Sequence, residues 1–470
     1  MKKGFKKFLG LAGIISMLVM VTGCDMIFDK LLGAAGEELV KVAATPSVTL
    51  NCENSFEKHY GEEAVLAVNA SASDNGELSY QWYKADDYYT QEKNRTAVSG
   101  ATSASLIVSG TSESDTYYWC KVTNSKNLKT ADGWSYAVRV IISNIVEPDD
   151  ITSATTWNAD YTYYIDFDLS VEATLVIPAG TVIKFNENAY MGTRGNGVIN
   201  AVGTEEKPII FTAANDNSVG IAIPKDKTDL KNTTPKAGEW EGVGVDYQGS
   251  KFDYCIFQYG GSEYYGTLRL DAKTTVTNCT FKDNASDGSW GYNCPALNIY
   301  ETAIKSTVTG NTFYNNNWPL ACPASFTVDT SNVFHKDDLK NTRQLICLDG
   351  DVEVPVVWGV TEVPYCFVEE NDDVVVKKAL TIEDDVVVKF AANASLDIYT
   401  EDGGSLTVGN AILTSMQDDE HPEEDGDTNC DGDATTPGEG DWEGVWYSEQ
   451  GFDNEINKSD KVLYRKPIEE

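Results

Sequence analysis

Thr174-Leu175-Val176-Ile177-Pro178-Ala179-Gly180-Thr181-Val182-Ile183-Lys184-Phe185 returns 205 residues later as Ala379-Leu380-Thr381-Ile382-Glu383-Asp384-Asp385-Val386-Val387-Val388-Lys389-Phe390. Strand alternation puts Leu175, Ile177, Ile183 and Phe185 on one face, and Leu380, Ile382, Val388 and Phe390 on the matching face of the second copy. Lys184, with the opposite parity, is expected to point outward. Pro178-Ala179-Gly180 reads as a corner between two short strands, and Glu383-Asp384-Asp385 stands in its place in the second copy. Both copies run on to a Gly-acid-Trp-Glu-Gly-Val signature, Gly238 to Val243 and Gly440 to Val445. Short strands repeated with corners imply rungs that bury their apolar faces by stacking on one another.

Further rungs follow from the same pattern. Gly197 to Thr204 and Lys207 to Ala213 are short strands closed by turn residues, and Cys255-Ile256-Phe257, Cys279-Thr280-Phe281 and Asn311-Thr312-Phe313 mark later ones. Cys255 and Cys279, each two residues before a phenylalanine, are expected on adjacent rungs as buried thiols, a spacing that would also allow a disulfide. The segment from Thr174 onward resembles a right-handed parallel β-helix of the pectin-lyase-like class. That resemblance implies strands stacked about 4.8 Å apart and roughly ten to fifteen rungs, a rod on the order of 50 to 70 Å long. The β-helix is expected to fill 151–470, with two diverged copies at about 174–260 and 379–470. The charged tail from Lys458 would cap the last rung or remain disordered.

At the other end, Lys2, Lys3, Lys6 and Lys7 precede an apolar run from Leu9 to Val21, followed by Val21-Thr22-Gly23-Cys24. The run is too short to span a bilayer, so 1–23 reads as a cleaved signal. Its end resembles the bacterial lipobox, which implies lipidation of Cys24 and a membrane anchor made of acyl chains. Residues 24–45 would form the tether. Everything after it is expected outside the cytoplasm, at the outer membrane or cell surface.

From 46 to 143, short alternating runs bounded by Gly, Ser, Asn and Asp indicate an all-β sandwich. Leu78 to Lys84 around Trp82, and Tyr118 to Asn124 around Cys120, 38 residues after Trp82, resemble bacterial immunoglobulin-like domains. The resemblance assigns Trp82 to the core and Tyr118 to the tyrosine-corner position. Val68 stands where the usual partner cysteine of Cys120 would be, and a Cys52 to Cys120 bridge is left open. Residues 144–150, with Pro148 and two aspartates, read as a linker.

The fold class is therefore all-β, an immunoglobulin-like sandwich followed by a right-handed parallel β-helix. The 470-residue chain carries a formal charge of −37, and removing 1–23 leaves 32 basic against 73 acidic residues. Such an acidic surface excludes nucleic acid and anionic lipid as partners by repulsion. With Cys24 lipidated, nine cysteines remain, and no CxxC pair supports a zinc or thioredoxin-type site.

The sharpest chemical signal is Asp427-Thr428-Asn429-Cys430-Asp431-Gly432-Asp433. Oxygen ligands at alternate positions, with glycine sixth, match the first half of a calcium loop, and Gly438 at the twelfth position rules out an EF-hand. Asp427, Asn429, Asp431 and Asp433 are the expected ligands of Ca²⁺; the alternative is a solvated acidic insertion. Nine acids lie between Asp418 and Asp433, and no lysine or arginine occurs from Phe390 to Asn457. No catalytic motif appears: His59, His335 and His421 are isolated. Tyr163, Tyr164, Tyr264 and Tyr265 could form a sugar-stacking wall or merely cover turns. The reading is a lipid-anchored envelope protein that binds a glycan or protein partner, in adhesion or as a scaffold. The rival readings are a polysaccharide lyase or glycoside hydrolase working on the β-helix side wall, and a structural spacer.

Overall fold

Short runs rich in Val, Ile, Thr and aromatic residues, each ended by Gly, Asn or Asp, leave little room for helix, and among the described residues the regular structure is almost wholly strand. The computed structural model describes residues 42–468 apart from 226, 231, 263–265, 285–293, 424–425 and 433. Two compact units meet between Asn144 and Ile145. Among the described residues no helix is long and apolar enough to cross a membrane.

In the first unit, Ser47–Leu50, Ala64–Ser71 and Ser105–Val108 form one antiparallel sheet. A second sheet is built on Glu77–Ala85, Ser114–Lys126 and Val138–Ile142, with Lys129–Trp134 folding back on the long strand. Leu66 and Val68 of the first sheet pack with Trp82, Cys120 and Val140 of the second, so the two sheets form a sandwich. Trp82 is fully buried and donates its Nε1 to Ser103 O at 3.0 Å. Cys52 and Cys120 are both free thiols; Cys52 Sγ instead accepts the Ala67 N–H.

The second unit is a parallel β-helix. Among the described residues its strands stack into parallel sheets of ten, seven and six, with two further sheets of three. Leu175 pairs with Ile199 and Ile183 with Phe211, and Leu380 and Val388 hold the same places in the second copy. The ten-stranded sheet spans about 45 Å at the usual strand spacing, somewhat short of the length expected for the rod. Ile145–Val146 already pairs with Thr162–Tyr163, so the residues expected to form a linker open the solenoid instead.

Register forces like to sit on like. Phe211, Phe257, Phe281, Phe313 and Phe334 form one column, with ring centroids 4.6 to 5.3 Å apart and planes within 14°. At a neighbouring corner Asn284 donates to Asn316 Oδ1 at 3.0 Å, and Asn316 to Asn341 Oδ1 at 2.9 Å. Each of these amides also donates to the carbonyl of a phenylalanine on an adjacent rung, which satisfies backbone groups that the corner leaves unpaired. The corner at Gly180, φ 88°, is kept in the second copy by Asp385 at φ 63°, a left-handed conformation that aspartate tolerates better than most residues. Cys255 and Cys279 lie side by side as free buried thiols, Cys279 Sγ accepting the Cys255 N–H at 3.4 Å. The tail continues the ladder rather than hanging free: Val462 bridges to Leu413 and Arg465 to Trp442.

Lys184 departs from its expected place in solvent. It leaves the outer face of its strand, yet it is fully buried because the loop before Trp240 folds over it. Its Nζ donates to Asp216 O at 2.7 Å, while the Asp216 carboxylate accepts from Thr212, Ser218 and Gln258. Lys389 repeats the arrangement: also fully buried, it donates to Asp418 O and Gly426 O, and Thr414 donates to Asp418 Oδ2 at 2.6 Å. Burial pushes the Lys184 amine down to about 8 against the pull of Asp216. An amine whose folded pKa lies below its unfolded value binds fewer protons when folded, so stability rises with pH between about 8 and 10.5. Replacing Lys184 by Met is expected to flatten that rise. Denaturant melts of both forms at pH 7 and pH 10 should show the wild type gaining on the order of 3 kcal/mol more than Lys184→Met; equal gains would contradict the assignment.

Candidate functional site

The outer face of the ten-stranded sheet is a long wall on which outward side chains repeat at rung spacing. Its outward column runs Gly244, Arg269, Asn298, Ala321, Cys347, Cys366 and Lys389, one residue per rung. Three features lie along it.

The first is a groove of about 710 Å³ bordered by Tyr300, Glu301, Trp318, Asp349, Asp351 and Glu353. Burial, then repulsion from Glu353, Asp349 and Asp351, holds the Glu301 carboxyl above its ordinary range. Lys377 spans Asp351 at 3.0 Å and Glu353 at 2.6 Å, relieving part of that repulsion. Trp318, nearly buried, also lines a second concavity of about 680 Å³, whose far side is formed by Met416, Asn429 and Thr435. The acidic loop is therefore one wall of this second hollow. Arg343 ties the loop down, its Nη1 donating to Thr428 O at 2.9 Å while its guanidinium lies 4.9 Å from the Trp318 ring.

The second feature is that loop. Asp419, Asp427 and Asp431 each bring a carboxylate oxygen within 4.8 Å of the others. Asp427 accepts the N–H groups of Asp431 and Gly432, both at 3.1 Å, and Asp431 Oδ2 accepts from Thr435 Oγ1 at 2.6 Å. Asn429 turns its amide to Asp431 Oδ2 and Thr435. Asp433 lies outside the described residues. Asp419, which the alternate spacing of the loop does not include, joins the cluster among the described residues. Its Oδ1 is buried with no hydrogen-bond partner among the described residues, and burial followed by the Asp427 charge raises its pKa. The donors are all hard oxygens. Two oxygens on one Ca²⁺ at roughly 2.3 to 2.6 Å can lie up to about 5.2 Å apart, so the spacing fits that ion.

Third, Asp246, Arg269 and Asp271 meet on neighbouring rungs. Arg269 Nη2 is 2.5 Å from Asp246 Oδ1, and its Nε is 2.6 Å from Asp271 Oδ2. Tyr190 lies across this patch and passes so close to Gly244 that a Cβ there would meet its hydroxyl at 1.6 Å. Burial raises the Tyr190 phenol to about 12. Burial opposes the charge of Arg269, yet Tyr190, Asp271 and Asp246 together keep its pKa above the ordinary value. Burial, and next to it Asp246, raise the Asp271 carboxyl against the pull of Arg269. This is two carboxylates and an arginine on one sheet, but the arginine is held cationic, the opposite of what a base requires.

The remaining expected residues are dispersed. Trp82, Tyr118 and Cys120 lie in the core of the first unit, and Cys24 falls outside the described residues. Tyr163 and Tyr164 are buried, at 4% and 1% exposure, so they form no stacking wall; Tyr264 and Tyr265 lie outside the described residues. His335 pairs with Glu362 at 2.6 Å and His421 with Asp418 at 3.0 Å.

Residues 149–222 match the family model described as a pectate-lyase like beta helix domain. No curated protein matches the chain, and no solved structure does. The match covers the opening rungs of the solenoid, so it bears on the fold and leaves the groove, the acidic loop and the Arg269 patch to be argued from their geometry.

Arg343 is the pin between the groove floor and the loop. Arg343→Ala should cost about 1 to 3 kcal/mol by leaving Thr428 O unpaired. Limited proteolysis should then cut first between 418 and 435; an unchanged cleavage pattern would remove the pinning role.

Proposed function

We propose that this chain is a lipid-anchored protein of a bacterial envelope that binds a glycan along the outer wall of its solenoid, in an adhesive or scaffolding role and without catalysis. The observation that carries this reading is Trp318, set as the shared floor of two adjoining hollows whose rims are carboxylates. A sugar offers hydroxyl donors to carboxylates and a C–H face to an aromatic ring, and few other ligands want both. The basic n-region, the short apolar run and Cys24 support export and anchoring. The acyl chains would provide membrane attachment that an acidic surface cannot. The immunoglobulin-like reading of 46–143 rests on the sandwich and on Trp82 set opposite Cys120 in its core.

Calcium belongs to the same reading. Bound among Asp419, Asp427 and Asp431, with Asp433 beside them in sequence, it would neutralise the loop and hold the wall of the second hollow in place. The second reading, a wall enzyme, is favoured only by the Asp246, Arg269 and Asp271 cluster, and the cationic state of Arg269 weighs against a lyase base there.

A glycan array probed with the chain lacking 1–23 should give binding that Trp318→Ala lowers at least tenfold. New reducing or unsaturated ends released from the bound polymers would overturn the non-catalytic assignment. Separately, EDTA should lower the melting temperature of the wild type, and Asp431→Ala should abolish that difference. An EDTA-insensitive wild type would count against a stabilising ion.

A further inference from the structure

The first unit carries a surface of a different kind. On the sheet built from Glu77–Ala85, Ser114–Lys126 and Lys129–Trp134, alternate residues face away from the Trp82 core. Register places Tyr83 against Trp119 and Lys121 against Trp134 on that outer face. The rings form a continuous run. Tyr83 and Trp134 lie 5.1 Å apart, Tyr117 and Trp119 6.3 Å, Tyr88 and Tyr117 5.9 Å, and Tyr88 and Tyr89 5.2 Å. Arg95 joins the two halves, 4.0 Å from the Trp119 ring and 5.1 Å from Trp134.

Aromatic pairs across strands can serve only to stabilise a sheet, and Trp119, nearly buried beneath Arg95, fits that role. Tyr88 and Tyr89 do not. They stand on the turn after Ala85, outside the ladder, with 50% and 85% of their surface exposed, so they extend the aromatic run into solvent without supporting the strands. Exposed aromatics adjoining an aromatic floor mark a recognition surface.

Charge narrows the occupant. In a chain of formal charge −37 this face is locally balanced: Lys121 pairs with Asp132 and Arg139 with Asp115, both at 2.6 Å. Arg95 donates its Nε to Thr90 O at 3.2 Å and has no carboxylate within 4.0 Å among the described residues, which leaves guanidinium donors beside the rings. A polyanion would meet the acidic remainder of the chain. A protein partner needs about 800 Å² with an apolar core, whereas contacts here run ring to ring or ring to arginine. An uncharged sugar polymer fits both parts, its C–H faces on the rings and its hydroxyl oxygens on Arg95.

We propose that the outer sheet face of the first unit binds an uncharged polysaccharide through Tyr88, Tyr89, Tyr117 and Trp134, with Arg95 donating to its hydroxyls. This surface is independent of the solenoid groove, and either can fail alone. The test is affinity electrophoresis of the chain lacking 1–23 in gels containing amylose, xyloglucan or β-glucan, with polygalacturonate and heparin as acidic arms. The expected result is retardation by at least one neutral polymer, lost at least tenfold in Tyr88→Ala/Tyr89→Ala and retained in Lys184→Met. The tryptophan emission of Trp119 and Trp134 should shift on binding in the wild type, and Tyr89→Ser, the most exposed position, gives a milder variant should the double one melt early. Retardation by the acidic polymers alone, retardation untouched by the tyrosine changes, or none in any gel would each overturn the proposal.

Discussion

In-register stacking governs this chain: every side chain on a solenoid rung has a neighbour directly above and below it at about the strand spacing. A column of identical residues satisfies that constraint with the least adjustment. The phenylalanines from Phe211 to Phe334 do so by parallel ring stacking, and Asn284, Asn316 and Asn341 do so by passing one amide hydrogen bond to the next. Burial of each phenylalanine contributes about 1.5 to 3 kcal/mol, so the column is a large share of what holds the rungs together. The same constraint restricts variation to the corners, where an extra segment can leave one rung and return without disturbing the stack.

The long loops leave where that constraint allows, and both copies use the same place. Each loop departs after a Thr-x-x-x-Asp stretch, Thr212 to Asp216 or Thr414 to Asp418, and returns at a tryptophan stacked on the copy's phenylalanine. Trp240 lies 4.1 Å from Phe185, and Trp442 lies 4.3 Å from Phe390. A buried lysine fastens the loop base from below in each case. The fastening is costly as a charge and effective as a set of hydrogen bonds, because the ammonium reaches backbone carbonyls at the loop base.

The rungs were legible in the sequence because a period-two pattern with matched corners reports directly on which residues face inward. Leu175, Ile183, Phe185 and their counterparts lie where alternation puts them. Lys184 was misread for a definite reason: alternation gives the direction of a side chain from its strand and says nothing of a loop that later covers it. Asp419 escaped for a related reason. A ligand pattern along the chain captures Asp427 and Asp431, but a residue returning from the start of the same loop enters the cluster only through the fold. Trp318 and the aromatic face of the first unit were likewise invisible, since each depends on rungs or strands being set side by side. Segment 144–150 carried the composition of a linker, yet Ile145 and Val146 find a parallel partner, and pairing outweighs composition.

The two loops show how one clamp can carry different chemistry. In the first copy Lys227 reaches Glu147 at 2.6 Å, and lysines stand among the acids of the insert, so its charge is balanced within the protein. In the second copy the insert holds nine acids between Asp418 and Asp433 and no basic residue. The buried Lys389 and the pin at Arg343 bring positive charge near it, and both donate to carbonyls rather than to the clustered carboxylates. Three carboxylates whose oxygens lie within 4.8 Å of one another then repel, relieved in part by backbone and hydroxyl donors and by the nearby charge of Lys389. On the proposed reading, a loop so fastened at its base and so charged at its tip would take a counter-ion from outside, and that ion would steady the wall of the hollow beside Trp318.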